Sequence, residues 1–197
     1  MDQVLDQAAL PVRLAGVGHC FRTEAGAGGT ASRGLYRLHQ FTKVELVVLS
    51  RPQDSPAMLE ELLRFERQLY RDLGLCFREL DMPPADLGAP AARKIDMEAW
   101  MPGLERWGEI SSASNCTDYQ ARRLGIRFRP DDSHGRGAHG KRAPAQFVHT
   151  LNATAAAVPR LVLALLENGQ RADGGVDLPD VLAPYMGGQV RLDKRGE

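Results

Sequence analysis

FRTEAGAGGTASRGLYRLHQFTKVELVVLS, residues 21–50, is the stretch whose reading decides the fold. Its middle, GAGGTASRG at 26–34, holds four glycines and one arginine and reads as a flexible loop. The flanking segments, 10–24 and 35–50, are rich in β-branched and aromatic residues with partial alternation, so each reads as a strand. Two strands around such a loop predict an antiparallel hairpin. Its charges are unlike those of a plain core strand. Arg22 and Glu24 stand two apart, which puts them on one face of a strand. Arg37, Phe41, Lys43 and Glu45 share one face of the second strand by the same rule, with His39 between Arg37 and Phe41. By pattern alone, Arg22 and Glu24 could equally be an exposed ion pair. The second face could equally be solvated, with Phe41 as a lone exposed aromatic.

Outward from the hairpin, residues 55–74 predict a helix. Ser55 can cap it, Pro56 suits its first turn and Gly74 can end it. Met58, Leu62, Phe65, Leu69 and Leu73 recur at helical spacing and predict its buried stripe. Residues 76–80, 94–101 and 108–114 read as short strands, separated by proline-bearing breaks at 83–90 and 102–106. Residues 130–144 are rich in Gly, His, Arg and Asp and predict an exposed loop; His134 and His139 sit there as solvated side chains. Residues 146–152 read as another strand. Residues 155–168 are almost wholly apolar and predict a buried helix with Pro159 in its first turn. The polar tail after Gly187 is expected to fray. Hairpins, a mainly antiparallel sheet and two packed helices predict an α+β fold. One domain at 1–187 with a polar tail at 188–197 follows.

Composition sets further bounds. The chain has 197 residues, 43% of them hydrophobic, enough for one sizeable core. Lys plus Arg equals Asp plus Glu at 25 each, so nothing suggests a strongly basic nucleic-acid surface. Cys20, Cys76 and Cys116 are far apart and form no CxxC pair, which predicts buried thiols in a reducing compartment. No apolar run approaches the ~18 residues of a membrane span, and no membrane partner is expected. MDQVLDQAA at the start holds two acids and no base, unlike a signal or transit peptide. No GxxxxGK[ST] or GxSxG segment occurs, which excludes a P-loop and a nucleophile elbow.

Two further segments carry unusual charges. GEISSASN at 108–115 offers Glu109 and Ser112, a carboxylate and a hydroxyl suited to Mg2+ when phosphate oxygens complete the shell. Residues this far apart are also common on surfaces. In HTLNATAAAVPR at 149–160, Arg160 is the one charge between residues 152 and 166. A charge in an apolar helix is costly unless it is paired or meets a ligand, although an arginine at a helix end can also snorkel.

Together FRTEAG, LYRLHQFTKVE, GEISSASN and HTLNATAAAVPR resemble the catalytic core of the seryl-tRNA synthetases, class II aminoacyl-tRNA synthetases, over about residues 10–186. The resemblance implies the class II fold: a mainly antiparallel sheet with flanking helices. It implies activation of serine with ATP and Mg2+ to seryl-adenylate, then transfer to tRNA(Ser). It makes Arg22 and Arg160 the catalytic cations. Arg22 would hold the α-phosphate together with the substrate carboxylate. Thr23, Ile110 and Ser111 fall among the ATP contacts, and Glu24 reads the adenine end. Phe41 stacks on adenine, with Arg160 over its other face reaching the γ-phosphate, and Arg37 approaches the terminal phosphates. Glu109 and Ser112 would hold Mg2+ with ATP. Glu45, Asn152 and Thr154 would bind serine. Asn115, Asp118 and Arg122 lie in a similar segment, SNCTDYQARR, with no role assigned.

The chain also departs from the pattern. Ala153 stands where the family often has Gly, and LVVLS follows Glu45 where an aromatic is frequent. The helical tRNA-binding arm, the first class II motif with its dimer-building role and a Thr-x-Glu serine-binding segment are expected before Phe21, and none is recognised there. A core shortened at its N-terminal side is therefore expected, homodimeric in the full-length enzyme and poorly stable alone because of an open sheet edge. The resemblance places it inside cells, in cytoplasm or mitochondrial matrix. The alternative is a non-charging ATP-binding or regulatory module. A third reading is an enzyme that activates an amino acid and passes it to another carrier.

Overall fold

The computed structural model describes residues 2–24, 34–131 and 143–194. Nearly all of the expected loops at 26–34 and 130–144, with His134 and His139, lies outside those residues. In chain order the elements are β1 (Val4–Asp6), β2 (Val12–Phe21), β3 (Gln40–Ser50), α1 (Ser55–Asp72), β4 (Phe77–Asp81), β5 (Arg93–Met101), β6 (Arg106–Asn115), α2 (Tyr119–Leu124), β7 (Arg127–Arg129), β8 (Gln146–Phe147), β9 (His149–Ala157), α3 (Val158–Asn168), β10 (Val176–Asp177) and β11 (Arg191–Leu192). Six of the strands form one sheet in the order β2-β3-β9-β6-β5-β4, and every neighbouring pair is antiparallel. This is the expected α+β architecture, with the hairpin as β2 and β3.

Register assigns the two faces of the sheet. Val48, Met97, Ala113, Leu151 and Ala153 fall on one face, and all are buried in a single cluster with Leu59, Leu62, Leu63 and Tyr70 of α1 and Ala164 of α3. Phe41, Lys43, Glu45, Asn152, Thr154 and Ser112 alternate onto the other face. The core thus backs a sheet whose front carries most of the polar candidates. A second, smaller cluster of Ala121, Phe128 and Val148 lies beside the three-stranded sheet β1-β7-β8.

The ends of the hairpin strands differ from expectation. β2 stops at Phe21 and β3 starts only at Gln40, after a 3-10 turn at Gly34–Tyr36. Arg22, Glu24 and Arg37 therefore lie just beyond the ladder, not on strand faces. The backbone of Glu24 is left-handed (φ 50°), which ends the alternation there.

Helix α1 runs as expected but begins differently. A 3-10 turn at Pro52–Asp54 leads into it, and Ser55 is its first residue rather than its cap. The Ser55 hydroxyl donates to the Pro52 carbonyl at 3.0 Å. Gly74 closes the helix at φ +66°, with Leu75 N–H bonded to Tyr70 O and Gly74 N–H to Arg71 O, the pattern of a Schellman motif. The buried stripe is Leu59, Leu62, Leu63, Glu66, Tyr70 and Leu73, whereas Phe65 is 47% exposed. The stripe read from the sequence was rotated by one residue because the true one passes through a charged position, Glu66.

Helix α3 begins at Val158, since residues 155–157 continue β9. A helix from 155 would need an N–H on Pro159 to reach the 155 carbonyl, and proline has none. Residues 146–152 divide between two sheets around the fully buried Val148. Arg191–Leu192 pair with Val176–Asp177, so this part of the polar tail is tied down rather than frayed. Of the thiols only Cys116 is buried; Cys20 is half-buried and Cys76 exposed.

Candidate active site

One cleft opens on the polar face of the sheet, lined by Arg22, Tyr36, Arg37, Phe41, Lys43, Glu109, Ser111, Ser112, Thr154, Pro159 and Arg160 among others. It brings together Arg22, Arg37, Phe41, Glu109, Ile110, Ser111, Ser112, Thr154 and Arg160 of the sequence candidates. Thr23 is not among the lining residues, nor are Glu24, Glu45 and Asn152, although those three attach to it through direct contacts.

Two β-bulges shape this place. In β6, Glu109 opposes Glu98 and Ser111 opposes Met97, so Ile110 is an extra residue. Simple alternation would place Glu109 and Ser112, three apart, on opposite faces. The bulge resets the phase, so both face the cleft while Ser111 turns toward α1. In β9, Thr154 opposes Glu45 and Ala156 opposes Val44, which makes Ala155 the extra residue. The pairing of β6 with β9 ends at Ala113 and Ala153, and the two strands part beside the cleft.

Arg160, in the first turn of α3, is nearly buried (13% side-chain exposure) and bonded through Nε and Nη1. It donates to the Tyr36 carbonyl at 3.1 Å, to the Glu109 carbonyl at 2.9 Å and to the Glu109 carboxylate at 3.0 Å. Its guanidinium also lies 4.5 Å from the centre of the Tyr36 ring. Tyr36 donates its own hydroxyl to the Glu109 carbonyl at 3.2 Å, and burial pushes its phenol above the usual range, with Arg160 opposing. Across the cleft, Arg22 lies over Phe41 at 5.2 Å. Glu24 pairs with Arg37 and, at 3.9 Å, with Arg22, so one carboxylate holds two of the cationic side chains.

A second polar cluster continues from Thr154. Glu45 accepts from the Thr154 hydroxyl at 3.0 Å and from the Asn152 amide at 3.1 Å, and pairs with Lys43 at 2.9 Å. A carboxylate, an amide and a hydroxyl in one pocket can take an ammonium group and a small hydroxyl together. Sequence reasoning assigned no role to Tyr36 and placed Lys43 only on the strand face. Nothing in the pattern marks Tyr36, because its part is set by the turn before β3 and by α3 arriving from over a hundred residues away.

The donor set also bears on metal. Among the described residues, no three His, Cys, Asp or Glu side chains gather in a metal-binding group. One carboxylate and one hydroxyl, Glu109 and Ser112, suit an ion that brings most of its oxygen ligands with it, as Mg2+ on a nucleotide does.

Comparison with known proteins shows the family. Residues 1–169 match the model of the tRNA synthetase class II core domain (G, H, P, S and T). The chain belongs to this family. Its class II core is 53% identical over 190 residues to a serine–tRNA ligase of Rubrobacter xylanophilus, covering 96% of this chain and 42% of the relative. A mitochondrial serine–tRNA ligase of Schizosaccharomyces pombe is 49% identical over 174 residues, covering 88% of this chain and 34% of that protein. The seryl-tRNA synthetase of Pyrococcus horikoshii complexed with ATP superposes with a TM-score of 0.90 at 42% identity, covering 99% of this chain and 41% of that one. The chain thus spans about two fifths of the length of the relatives it matches. No described helix is long and apolar enough to cross a membrane.

Proposed function

We propose that this class II core carries the ATP- and serine-binding part of a serine–tRNA ligase. The single observation that carries the proposal is the convergence of Arg22, Phe41, Glu109 and Arg160 on one cleft that also holds Thr154, through which the hydrogen-bonded cluster of Glu45 and Asn152 attaches. Adenine stacks on Phe41, with the Arg160 guanidinium over its other face, a contact worth up to ~2 kcal/mol when desolvated. Thr23 and Glu24 lie at the adenine end. Arg37 takes the terminal phosphates. Glu109 and Ser112 would hold Mg2+ carried by the triphosphate, which would spread the phosphate charge. Glu45 and Asn152 take the serine ammonium group and Thr154 its hydroxyl, and a site that bonds a hydroxyl rejects analogues lacking one.

Arg22 draws the serine carboxylate and the α-phosphate to the same guanidinium, whose planar fork grips oxygens at two points. A carboxylate oxygen then bonds to the α-phosphorus as the bond to the β-phosphate oxygen breaks, and pyrophosphate leaves. The carboxylate is already ionised, so no base is needed; positioning and charge neutralisation supply the rate. The seryl group then passes to tRNA(Ser). Within the complete enzyme, a homodimer in cytoplasm or mitochondrial matrix is the corresponding assembly.

The test is serine-dependent ATP–pyrophosphate exchange by the 197-residue chain, with Arg160→Ala as control. Exchange that requires serine and vanishes in the variant supports the proposal. ATP binding by a folded chain without exchange would replace it with a non-charging nucleotide-binding module.

A further inference from the structure

Behind the serine pocket, on the α1 side of the sheet, lies a buried polar group that the proposed reaction does not use. Glu66 is fully buried in the middle of α1. One of its carboxyl oxygens is 2.5 Å from the Ser111 hydroxyl, and the other has no hydrogen-bond partner. The same Ser111 hydroxyl is 2.5 Å from the Thr154 carbonyl oxygen. That carbonyl belongs to the residue whose side chain bonds Glu45, at the place where β6 and β9 part and the ladder bonds stop.

A hydroxyl has one proton, and a carbonyl oxygen can only accept. If Ser111 gives its proton to Glu66, its oxygen faces the Thr154 carbonyl oxygen with no proton between them. Both short contacts are satisfied only when Ser111 donates to Thr154 and the carboxyl group of Glu66 donates to Ser111. We infer that Glu66 is a positioning residue, protonated in the folded protein, which commits the Ser111 proton to the Thr154 carbonyl and so fixes the serine pocket from behind. The inference rests on the proposed serine site only for its functional reading; the proton arrangement stands apart from it.

The surroundings agree. Burial is the main influence on Glu66 and pushes its carboxyl up to about 7, while the bond from Ser111 acts in the opposite sense. Glu45 from β3 and Glu79 from β4 raise it further, and Arg67 on α1 opposes them. The buried Tyr70 hydroxyl beside it has no hydrogen-bond partner of good geometry, so Arg67 and the bond from Ser111 are the influences that favour an ionised Glu66, against burial and two neighbouring carboxylates. A carboxyl raised in the folded state binds its proton there while the unfolded chain has already lost its own. This group therefore makes stability fall as pH rises from the ordinary glutamate value toward about 7, with no further change from it above that.

The experiment uses the 197-residue chain, Glu66→Gln and Ser111→Ala, each first checked for native circular dichroism. Glutamine keeps a donor toward Ser111 and cannot titrate. The wild type is expected to show a protonated-carboxyl band in the infrared at about pH 6, absent in Glu66→Gln. The Thr154 carbonyl-carbon NMR shift should move between about pH 6 and pH 8 in the wild type and stay fixed in Glu66→Gln. The serine KM should rise about tenfold over the same interval in the wild type, with the ATP KM unchanged and Glu66→Gln flat. Ser111→Ala should raise the serine KM at both pH values. A missing infrared band at about pH 6, or a Glu66→Gln variant that follows the wild-type Thr154 profile, overturns the inference. Absence of exchange with the band and the shift intact overturns the serine-ligase reading instead.

Discussion

At the scale of single residues, Arg160 shows how an isolated charge becomes legible. It stood out as the one charge in an apolar stretch, and the structure pairs it with Glu109 and two carbonyl groups. Because Arg160 itself is nearly buried, Arg160→Ala is expected to weaken ATP binding about tenfold or more, read by equilibrium titration with the chain still folded. Arg160→Lys should recover only part of this, since an ammonium group cannot reach the Tyr36 carbonyl and Glu109 in the same planar geometry. Thr154→Val removes the hydroxyl that Glu45 accepts. It is expected to raise the serine KM about tenfold and leave the ATP KM near wild type, in initial-rate exchange measurements.

At the scale of elements, the packing of α1 separates the sequence reading from the folded one. Periodicity favoured a stripe containing Phe65, yet Leu63 is buried and Phe65 is 47% exposed. Leu63→Ala should cost about 2–4 kcal/mol in urea denaturation. Phe65→Ser, on the exposed side, should cost under about 1 kcal/mol. The opposite pair of results would restore the stripe read from the sequence. The bulges at Ile110 and Ala155 belong to this scale too. They set Glu109 and Ser112 on one face and end the strand pairing beside the cleft, and neither is encoded by any residue type that marks a bulge in advance.

At the scale of the whole molecule, the sheet is lopsided. β4 and β2 are its edges, and β2 is exposed along nearly its whole length, with Leu14 at 55%, Val17 at 74% and Phe21 at 71%. Exposed apolar residues along an edge strand invite pairing with another chain. The 197-residue chain is therefore expected to self-associate as its concentration rises. Val17→Lys, which puts a charge on that edge, should shift sedimentation toward monomer without lowering the unfolding midpoint. Unchanged association in Val17→Lys would locate the contact elsewhere.

The sequence by itself determined the fold class, the hairpin, α1 and its glycine stop, and the residues that gather in the cleft. These depend on local propensities, on proline and glycine, and on charges in places where a bland core would have none. The family resemblance is what suggested ATP and serine as the ligands of those charges. Only the tertiary structure decided where the strands end, so that Arg22, Glu24 and Arg37 act from turns rather than from strand faces. It alone placed Tyr36 under Arg160 and Glu66 behind Thr154. Those contacts join residues from 43 to over a hundred positions apart. They are fixed by register shifts and by burial of ionisable side chains, which no local pattern records.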